Sequence, residues 1–267
     1  MEILENDAID PFFVASEVSV ATRGDIASLI AGTSAAVRIP SLLPKDVCSM
    51  TMEAMESLQL EMYDRERVDP PIARFGPVLN DYRHNGQLKE EYWEHADRAR
   101  SIWRSADFTP DPLKMCREMI SNSWGEGVQP AKRQGRDLFV GTVREINSGA
   151  HMHYDEIVRE YPSGVVDSTI VAQLAFNAYI SVPDRGGDTV VWRRRWQPSD
   201  VRQRRGYGYE ESLAGNVQHV TIKPCVGDGL IFDPRNYHAV RACEGGRRVA
   251  IAFFLGFTDQ GKLLLWS

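Results

Sequence analysis

The 267-residue sequence lacks the features that mark secreted, membrane-bound or nucleic-acid-binding proteins. It has only four cysteines and no CxxC pair, which argues against a disulfide framework and indicates reduced thiols. A net charge of −6 gives no general attraction to nucleic acid or to an anionic membrane. The N-terminus has neither a basic leader nor a long apolar run, so a soluble, cytoplasmic protein is expected. No internal repeat or low-complexity segment is visible.

The two halves of the sequence differ in their periodicity. Residues 1–135 are expected to be mainly helical, with helices after Pro44, within 87–105, and from 111 to about 123, and with a short strand at 35–39. From 136 to 258, short β-like runs alternate with Gly and Pro turns, as in a sandwich or barrel, and they include strands expected at 137–146, 172–182 and 248–257. These patterns predict one α+β domain over 1–267, in which 136–258 form a jelly-roll core and 1–135 form its helical support.

His153-Tyr154-Asp155 is the strongest chemical signal in the sequence. Residues i and i+2 of a strand face the same side, so His153 and Asp155 are expected to point at one metal ion. A third ligand must come from another strand, and His238 lies in the strand–turn–strand pattern of residues 226–240. Two imidazoles and one carboxylate on one face of Fe(II) leave the opposite face open for a co-substrate and O₂. We therefore predict a catalytic metal site formed by His153, Asp155 and His238.

His151 offers an alternative ligand set, because HxHxD places three potential ligands on one face. A cupin would use His151 and His153 together with Glu156 and His238. Cupins, however, usually place their last histidine soon after a Pro-x-Gly turn, whereas His238 lies far beyond the turn at 224–227. This spacing favours the set without His151, which is then expected at the edge of the pocket. A jelly-roll binding protein with a vestigial metal site is a further alternative.

An anchor for a co-substrate is predicted downstream of the metal ligands. Arg248 opens an apolar run, and its planar guanidinium can hold a carboxylate through two parallel hydrogen bonds. Its neighbours on the same strand face are Ala250 and Ala252, which are small and leave room for a ligand. Arg247 is expected to project to the opposite face, although the sequence does not decide between the two arginines.

Other polar residues are candidate contacts of the same pocket. Gln173 and Asn177 share one face of an otherwise apolar strand, and Thr189 follows a Gly-Gly turn. Asn177 and Thr189 are predicted either to contact the co-substrate or to satisfy hydrogen bonds inside the barrel. The basic, aromatic segment 193–211 is placed where a lid over the barrel mouth could sit. The segment is interpreted as a solvated loop in which nearby acidic residues balance the charges of most arginines. One or two of the arginines are expected to contact an anionic substrate.

Together these residues resemble the Fe(II)/2-oxoglutarate-dependent dioxygenases, over roughly residues 137–257. The segments that carry the resemblance are GAHMHYDE (149–156), GGDTVVW (186–192), VGDGLIFDPRNYHAV (226–240) and GRRVAIAFF (246–254). The resemblance implies a double-stranded β-helix core, Fe(II) held by His153, Asp155 and His238, and 2-oxoglutarate held by Arg248, with O₂ as the oxidant. Within the superfamily, the sequence is most similar to small bacterial hydroxylases of amino-acid derivatives and specialised metabolites.

The resemblance also implies a reaction. Such enzymes convert 2-oxoglutarate to succinate and CO₂ while they hydroxylate an unactivated C–H bond of a small molecule. Desaturation, cyclisation or epimerisation on the same scaffold is an alternative that the sequence does not separate. In related halogenases Gly or Ala replaces the carboxylate ligand, so the intact Asp155 favours hydroxylation. The expected partner is a small-molecule substrate, with an anionic one as an option. No nucleic-acid or membrane partner is expected, and the helical half is a candidate homodimer face.

Overall fold

The computed structural model describes residues 9–55, 57–58, 60–85, 87–125 and 128–267. Its α-helices in these ranges are α1 (Arg23–Ile30), α2 (Lys45–Met55), α3 (Glu91–Ser105), α4 (Pro112–Trp124) and α5 (Ile157–Glu160), with short 3₁₀ helices at Leu79–Tyr82, Pro198–Gln203 and Glu211–Ala214. Its strands are β1 (Ala15–Glu17), β2 (Ala36–Ile39), β3 (Glu61–Met62), β4 (Ala73–Phe75), β5 (Arg83–His84), β6 (Gln87–Leu88), β7 (Val128–Pro130), β8 (Lys132–Arg133), β9 (Arg136–Asp137), β10 (Thr142–Glu145), β11 (Ala150–His153), β12 (Ile170–Ser181), β13 (Arg185–Gly186), β14 (Thr189–Arg195), β15 (Arg204–Arg205), β16 (Gly208–Tyr209), β17 (His219–Ile222), β18 (Gly229–Phe232), β19 (Asn236–Val240), β20 (Cys243–Glu244), β21 (Val249–Thr258) and β22 (Leu263–Trp266).

Side-chain caps define where α1 and α4 begin. Thr22 and Asp25 form a capping box on α1: the Asp25 N–H donates to Thr22 Oγ1 at 3.3 Å, and the Thr22 N–H donates to the Asp25 carboxylate at 2.8 Å. Asp111 caps α4, and Pro112 occupies its first turn. The three helices expected from the sequence are confirmed as α2, α3 and α4. In the described ranges, every helix is too short or too polar to cross a membrane.

Two mainly antiparallel sheets contain most of the strands. The large sheet has the order β1-β2-β18-β12-β21-β10-β4-β3, with β22 paired to β21 and β7 paired to β22. The small sheet has the order β15-β16-β11-β19-β14-β17. The two longest strands, β12 and β21, pair from Ile170 opposite Thr258 to Ser181 opposite Val249. The fold is therefore a mixture of α and β structure built around a large antiparallel sheet.

The alternation along β12 separates the helices from the cavity side of the large sheet. Leu174 and Ile180 belong to the core that also contains the buried residues of α1, α2 and α4. Ala175 and Tyr179, of the opposite parity, pack instead with Val191 of the small sheet. Because side chains of a strand alternate between faces, one face of the large sheet is covered by helices and the other faces the small sheet.

The first half of the chain contains strands as well as the expected helices. β1, β2, β3 and β4 all belong to the large sheet, where β2 pairs with β18 and β4 pairs with β10. The strand expected at 35–39 is confirmed as β2, but β3 and β4 were not expected. They are too short for periodicity to reveal: β4 is stabilised by pairing with the distant β10, and β3 pairs with β4. The first half thus contributes strands to the sheet that carries part of the candidate site.

The four cysteines are free, as expected for reduced thiols, but only Cys48 and Cys116 are buried, whereas mostly buried thiols were expected. Burial raises the pKa of the Cys48 thiol to about 11, so this side chain is protonated near neutral pH. It therefore behaves as a small apolar residue of the core beneath the large sheet.

Candidate metal centre

The small sheet brings His153, Asp155 and His238 together. One potential ligand atom of each residue lies within 4.8 Å of the others. The Nε2 atom of His238 lies 3.5 Å from Asp155 Oδ2, and the Nε2 atom of His153 lies 3.9 Å from the same oxygen. His153 ends β11 and stands directly opposite His238 of β19 in the antiparallel register. The three residues expected to meet from their spacing are thus adjacent in space.

Asp155 reaches this cluster from outside the strand. β11 ends at His153, and the Asp155 N–H donates a hydrogen bond to Pro234 O at 2.9 Å. The sequence predicted that His153 and Asp155 would be aligned by strand alternation. Their proximity is present, but the position of Asp155 is set by its hydrogen bond to the turn before β19. This turn therefore positions both the carboxylate and the histidine that follows it.

Backbone carbonyl groups orient both imidazoles. Nδ1 of His153 lies 2.7 Å from His151 O, and Nδ1 of His238 lies 3.0 Å from Asn236 O. These contacts assign the ring proton to Nδ1, so the Nε2 lone pairs are free to face Asp155 and the cluster. Burial, reinforced by repulsion from His238, lowers the pKa of His153 to about 4. The ring is therefore neutral near pH 7, which is the form that binds a metal.

The Asp155 carboxylate supplies the negative charge of the cluster. Burial acts to raise its pKa, but the neighbouring rings of His238 and His153 outweigh burial and hold the pKa below its ordinary value. Two neutral imidazoles and one carboxylate are the ligand set of non-haem Fe(II) oxygenases, which leaves the opposite face of the ion open. The chemistry and the separations of these donors therefore fit Fe(II).

His151 lies outside the cluster. Its side chain is exposed, and its ring lies beside Tyr207 with the centroids 6.0 Å apart. Glu156, the other ligand that a cupin would add, forms an ion pair with Arg159. Among the described residues, the group that can hold a metal consists of the HxD pair and His238. The geometry thus opposes the cupin alternative.

The three candidate metal ligands line a cavity of about 90 Å³ that Arg248, Thr189 and Asn177 also line. Arg248 is only 2% exposed and directly precedes β21. Its Nε donates to Gly187 O at 2.9 Å, and its Nη2 donates to Thr189 Oγ1 at 3.1 Å. Its guanidinium also lies 5.0 Å from the ring centroid of Tyr179. All three residues predicted as co-substrate contacts therefore line the same cavity as the candidate metal ligands.

Gly187 allows the backbone to approach Arg248 closely. Its φ is +73°, and a Cβ atom here would lie 2.9 Å from Pro183 Cγ and 3.3 Å from Arg248 Cδ. A side chain at this position would be strained and would displace the guanidinium. Arg247, by contrast, pairs with Glu145 at 2.7 Å. Of the two arginines that the sequence did not separate, Arg248 is the one that lines the cavity.

A larger cavity of about 440 Å³ adjoins the first one, and His153 and Asp155 line both. Two of its charged residues, Arg144 and Glu160, were not found from the sequence. Burial, together with the charge of Asp155, raises the pKa of the Glu160 carboxyl to about 7. A charged side chain in a short amphipathic segment ordinarily faces water. The sequence therefore gives no sign that Arg144 and Glu160 face a cavity, which only the packing of the sheets reveals.

The basic segment 193–211 is largely balanced by acids, as one of its two interpretations expected. Its ion pairs are Arg193–Asp10, Arg194–Asp200, Arg195–Asp233 and Arg205–Glu210. Tyr207 lines both cavities, and Arg204 lines the larger one. The segment therefore contributes to the cavity walls mainly through Tyr207 and Arg204.

Comparison with known proteins places the chain in a family. The model of the carrier-protein-independent halogenase WelO5 matches residues 14–267. An L-γ-glutamyl-L-propargylglycine hydroxylase from Streptantibioticus cattleyicolor is 41% identical over 259 residues, which cover 96% of each chain. A solved N-substituted L-amino acid dioxygenase from Burkholderia ambifaria has a TM-score of 0.60 at 14% identity and covers 92% of each chain. The structure of such an enzyme in complex with α-ketoglutarate (2-oxoglutarate) has a TM-score of 0.58 at 15% identity, over 91% of this chain and 90% of that one.

The solved structures, at this level of identity, show a shared fold, whereas the family model and the hydroxylase show a family relationship. The resemblance to the Fe(II)/2-oxoglutarate-dependent oxygenases that the sequence indicated is confirmed. With it, the prediction of an enzyme of this class is confirmed. The chain belongs to the family of the carrier-protein-independent halogenase WelO5.

Proposed function

We propose that this protein hydroxylates a C–H bond of an amino-acid derivative of the γ-glutamyl amino acid type. One cavity holds a metal-binding group, His153, Asp155 and His238, together with the buried guanidinium of Arg248, and this juxtaposition carries the proposal. The proposed substrate class is supported by the 41% identical relative, which is an L-γ-glutamyl-L-propargylglycine hydroxylase.

His153, Asp155 and His238 would hold Fe(II) through two Nε2 atoms and one carboxylate. When bound, Fe(II) and 2-oxoglutarate supply the oxidising chemistry, in which 2-oxoglutarate becomes succinate and CO₂ and one oxygen atom of O₂ enters the substrate. The hydrogen bonds from both Nδ1 atoms to backbone carbonyls fix the rings before any ligand arrives. The protein thus contributes the placement of the ligands and of the target C–H bond.

Arg248 would hold the distal carboxylate of 2-oxoglutarate. Its contacts with Gly187 O and Thr189 Oγ1 fix the plane of the guanidinium, and its burial strengthens an ion pair with the carboxylate. Asn177, on the neighbouring strand and opposite Ala252, lines the same cavity and offers its amide to the co-substrate. These roles give each of the predicted residues a contact that can be tested.

The carboxylate of Asp155 favours hydroxylation over halogenation, although the family model is that of a halogenase. In the halogenases that the chain resembles, Gly or Ala at this position leaves room on the iron for chloride. Here Asp155 Oδ2 lies 3.5 Å from Nε2 of His238, where it can fill that position. Transfer of a hydroxyl group is therefore the proposed outcome.

We extend the proposal to the architecture. The two facing sheets, joined by a 3.1 Å hydrogen bond between Tyr179 Oη and Thr189 Oγ1, support a double-stranded β-helix or jelly-roll core at 136–258 within a single domain of residues 1–267. The free cysteines support a reducing, cytoplasmic location. A homodimer stays a hypothesis, and sedimentation velocity at several concentrations would test it.

An anaerobic titration with Fe(II) and 2-oxoglutarate tests the enzyme class. A weak visible charge-transfer band is expected in the wild type, absent in His153→Ala, and requiring more 2-oxoglutarate in Arg248→Ala. His151→Ala is the matched control, because this histidine lies outside the cluster, and its band should equal that of the wild type. Succinate release and product mass with L-γ-glutamyl-L-propargylglycine then test the substrate class. A wild type without the band, or a His151→Ala variant without it, contradicts the proposed site.

A further inference from the structure

Arg144 lies at the junction of the two cavities beside the metal-binding group. It belongs to β10, the strand next to β21, and lines both the smaller and the larger cavity. Its guanidinium stands 6.0 Å from the ring centroid of Phe254, which supports one side of it. Arg248 lines only the smaller of these two cavities, whereas Arg144 lines both.

Arg144 forms no salt bridge within the described part of the chain. No carboxylate there lies within salt-bridge distance of it, and its Nε is buried without a hydrogen-bond acceptor. An unsatisfied buried donor of this kind costs about 1–3 kcal/mol, and such groups are rare in folded proteins. The neighbouring acids are engaged elsewhere: Glu145 pairs with Arg247, and Asp155 belongs to the metal-binding group.

The position of Arg144 in the sheet is also electrostatically unfavourable. It stands directly opposite Arg74 of β4, and opposed residues of an antiparallel pair share a face. Arg74 is neutralised by Asp81 at 2.7 Å and Glu61 at 3.4 Å, but neither acid pairs with Arg144. Like charges directly opposite each other destabilise a sheet. A sequence retains such a conflict mainly where a ligand resolves it.

We propose that Arg144 binds a carboxylate of the substrate and thereby fixes which carbon of the substrate faces the metal. The inference rests on the proposed function and deepens it, since an amino-acid derivative carries such a carboxylate. A guanidinium binds a carboxylate through two parallel hydrogen bonds, which orient the bound molecule as well as hold it. The larger cavity, bordered by His153 and Asp155, provides the space for the rest of the substrate.

The probe is L-γ-glutamyl-L-propargylglycine together with its two monoamides, in each of which one carboxylate is replaced by a neutral carboxamide. The wild type should turn over one monoamide about 10- to 100-fold less efficiently than the diacid, as expected for the loss of a charged hydrogen bond. Arg144→Gln should lower kcat/KM for the diacid by a similar factor and remove the discrimination against that monoamide. Arg144→Lys should restore part of the discrimination.

Two controls separate substrate binding from other roles of Arg144. Arg185→Gln removes an exposed arginine that pairs with Glu244 outside both cavities. This variant should discriminate between the diacid and the monoamides as the wild type does. The melting temperature of Arg144→Gln should equal or exceed that of the wild type, because the conflict with Arg74 is relieved. The 2-oxoglutarate concentration that half-saturates the charge-transfer band should also be unchanged in Arg144→Gln.

The inference is overturned if Arg144→Gln loses the same factor of activity on the diacid and on both monoamides. It is also overturned if Arg144→Gln needs a higher 2-oxoglutarate concentration to half-saturate the charge-transfer band. It is overturned as well if the band forms but neither the diacid nor N-acyl amino acids perturb it. Absence of the band in the wild type is a different result, since it contradicts the proposed function itself. The titration therefore distinguishes failure of the inference from failure of the function on which it rests.

Discussion

Replacing Asp233 with Asn is expected to reduce the stability of the protein by about 3 kcal/mol. The Asp233 side chain is 0% exposed, and its carboxylate accepts hydrogen bonds at 2.8 to 3.0 Å from the backbone and guanidinium of Arg235 and from Arg195. Asn keeps the shape but removes the charge, which leaves the Arg235 guanidinium, 10% exposed, without its counter-charge. Breaking such a buried pair costs about 3–5 kcal/mol, and the amide oxygen that remains places the loss at the lower end. For a chain of this size, thermal unfolding should shift down by about 6–12 °C.

The same change should weaken metal binding, because Asp233 orders the turn whose backbone positions two of the proposed metal ligands, Asp155 and His238. Pro234 O accepts the hydrogen bond from the Asp155 backbone, and Asn236 O accepts that of His238 Nδ1. Loss of groups that orient metal ligands typically lowers metal affinity about 10- to 100-fold. Competition with a chromogenic chelator measures this affinity, and circular dichroism of the metal-free protein measures the unfolding temperature.

Glu211→Gln is the matched control for the loss of one carboxylate. Glu211 pairs with Arg241 at the surface, where the two side chains are 43% and 45% exposed, so its removal should cost less than about 1 kcal/mol. Metal affinity should be that of the wild type. Two results for Asp233→Asn would refute the reasoning: an unfolding temperature equal to that of Glu211→Gln, or wild-type metal affinity despite the loss of stability.

Three further substitutions test the cavity. Thr189→Val removes the hydroxyl that accepts from Arg248 Nη2 and should raise the half-saturating 2-oxoglutarate concentration about 5-fold in the anaerobic titration. Gly187→Ala should weaken 2-oxoglutarate binding in the same titration, whereas Gly135→Ala, with a similar φ of +76° and no atom within 4 Å, should not. Glu160→Gln removes a carboxyl whose pKa burial and the nearby carboxylate of the cluster raise from 4.5 to about 7. The folded wild type binds this proton more tightly than the unfolded chain, so its stability falls between these pH values. In metal-free urea unfolding the variant should therefore gain about 1–3 kcal/mol over the wild type at pH 8 and little at pH 4.

The long strands could be predicted from the sequence because their signals are local. β12 was expected at 172–182 and spans Ile170–Ser181, and β21 was expected at 248–257 and spans Val249–Thr258. Both contain enough residues for alternation to be visible. β4 has only three residues, Ala73–Phe75, and is stabilised by pairing with β10. A strand of this kind depends on partners far away in the sequence, which a local pattern does not reveal.

The cluster of His153, Asp155 and His238 could be predicted from residue type and spacing, but the position of Arg144 could not. The run 137–146 was expected to be one alternating strand, in which charged residues usually face water. In the structure only Thr142–Glu145 form β10, and Val143 packs into the core beneath the helices. Because that face of the sheet is covered by helices, Arg144 faces the cavity instead. The alternation of apolar and polar residues was visible in the sequence. Which face of the strand meets water, however, depends on the helices that pack against the sheet.

The arginines of this chain differ in whether they form ion pairs in the folded structure, and those without an ion pair are the candidates for binding a substrate. The most conspicuous basic segment, 193–211, has most of its arginines matched to acids as distant in sequence as Asp10 and Asp233. Arg248 and Arg144 are less conspicuous, yet among the described residues no carboxylate forms a salt bridge with either, and both line the cavity of the metal-binding group. Two arginines without a salt bridge to a described carboxylate therefore line this cavity, in a chain whose net charge is −6. Because 2-oxoglutarate and an amino-acid derivative each present carboxylates, the two cations have one proposed ligand each, and they support the proposal of an anionic substrate.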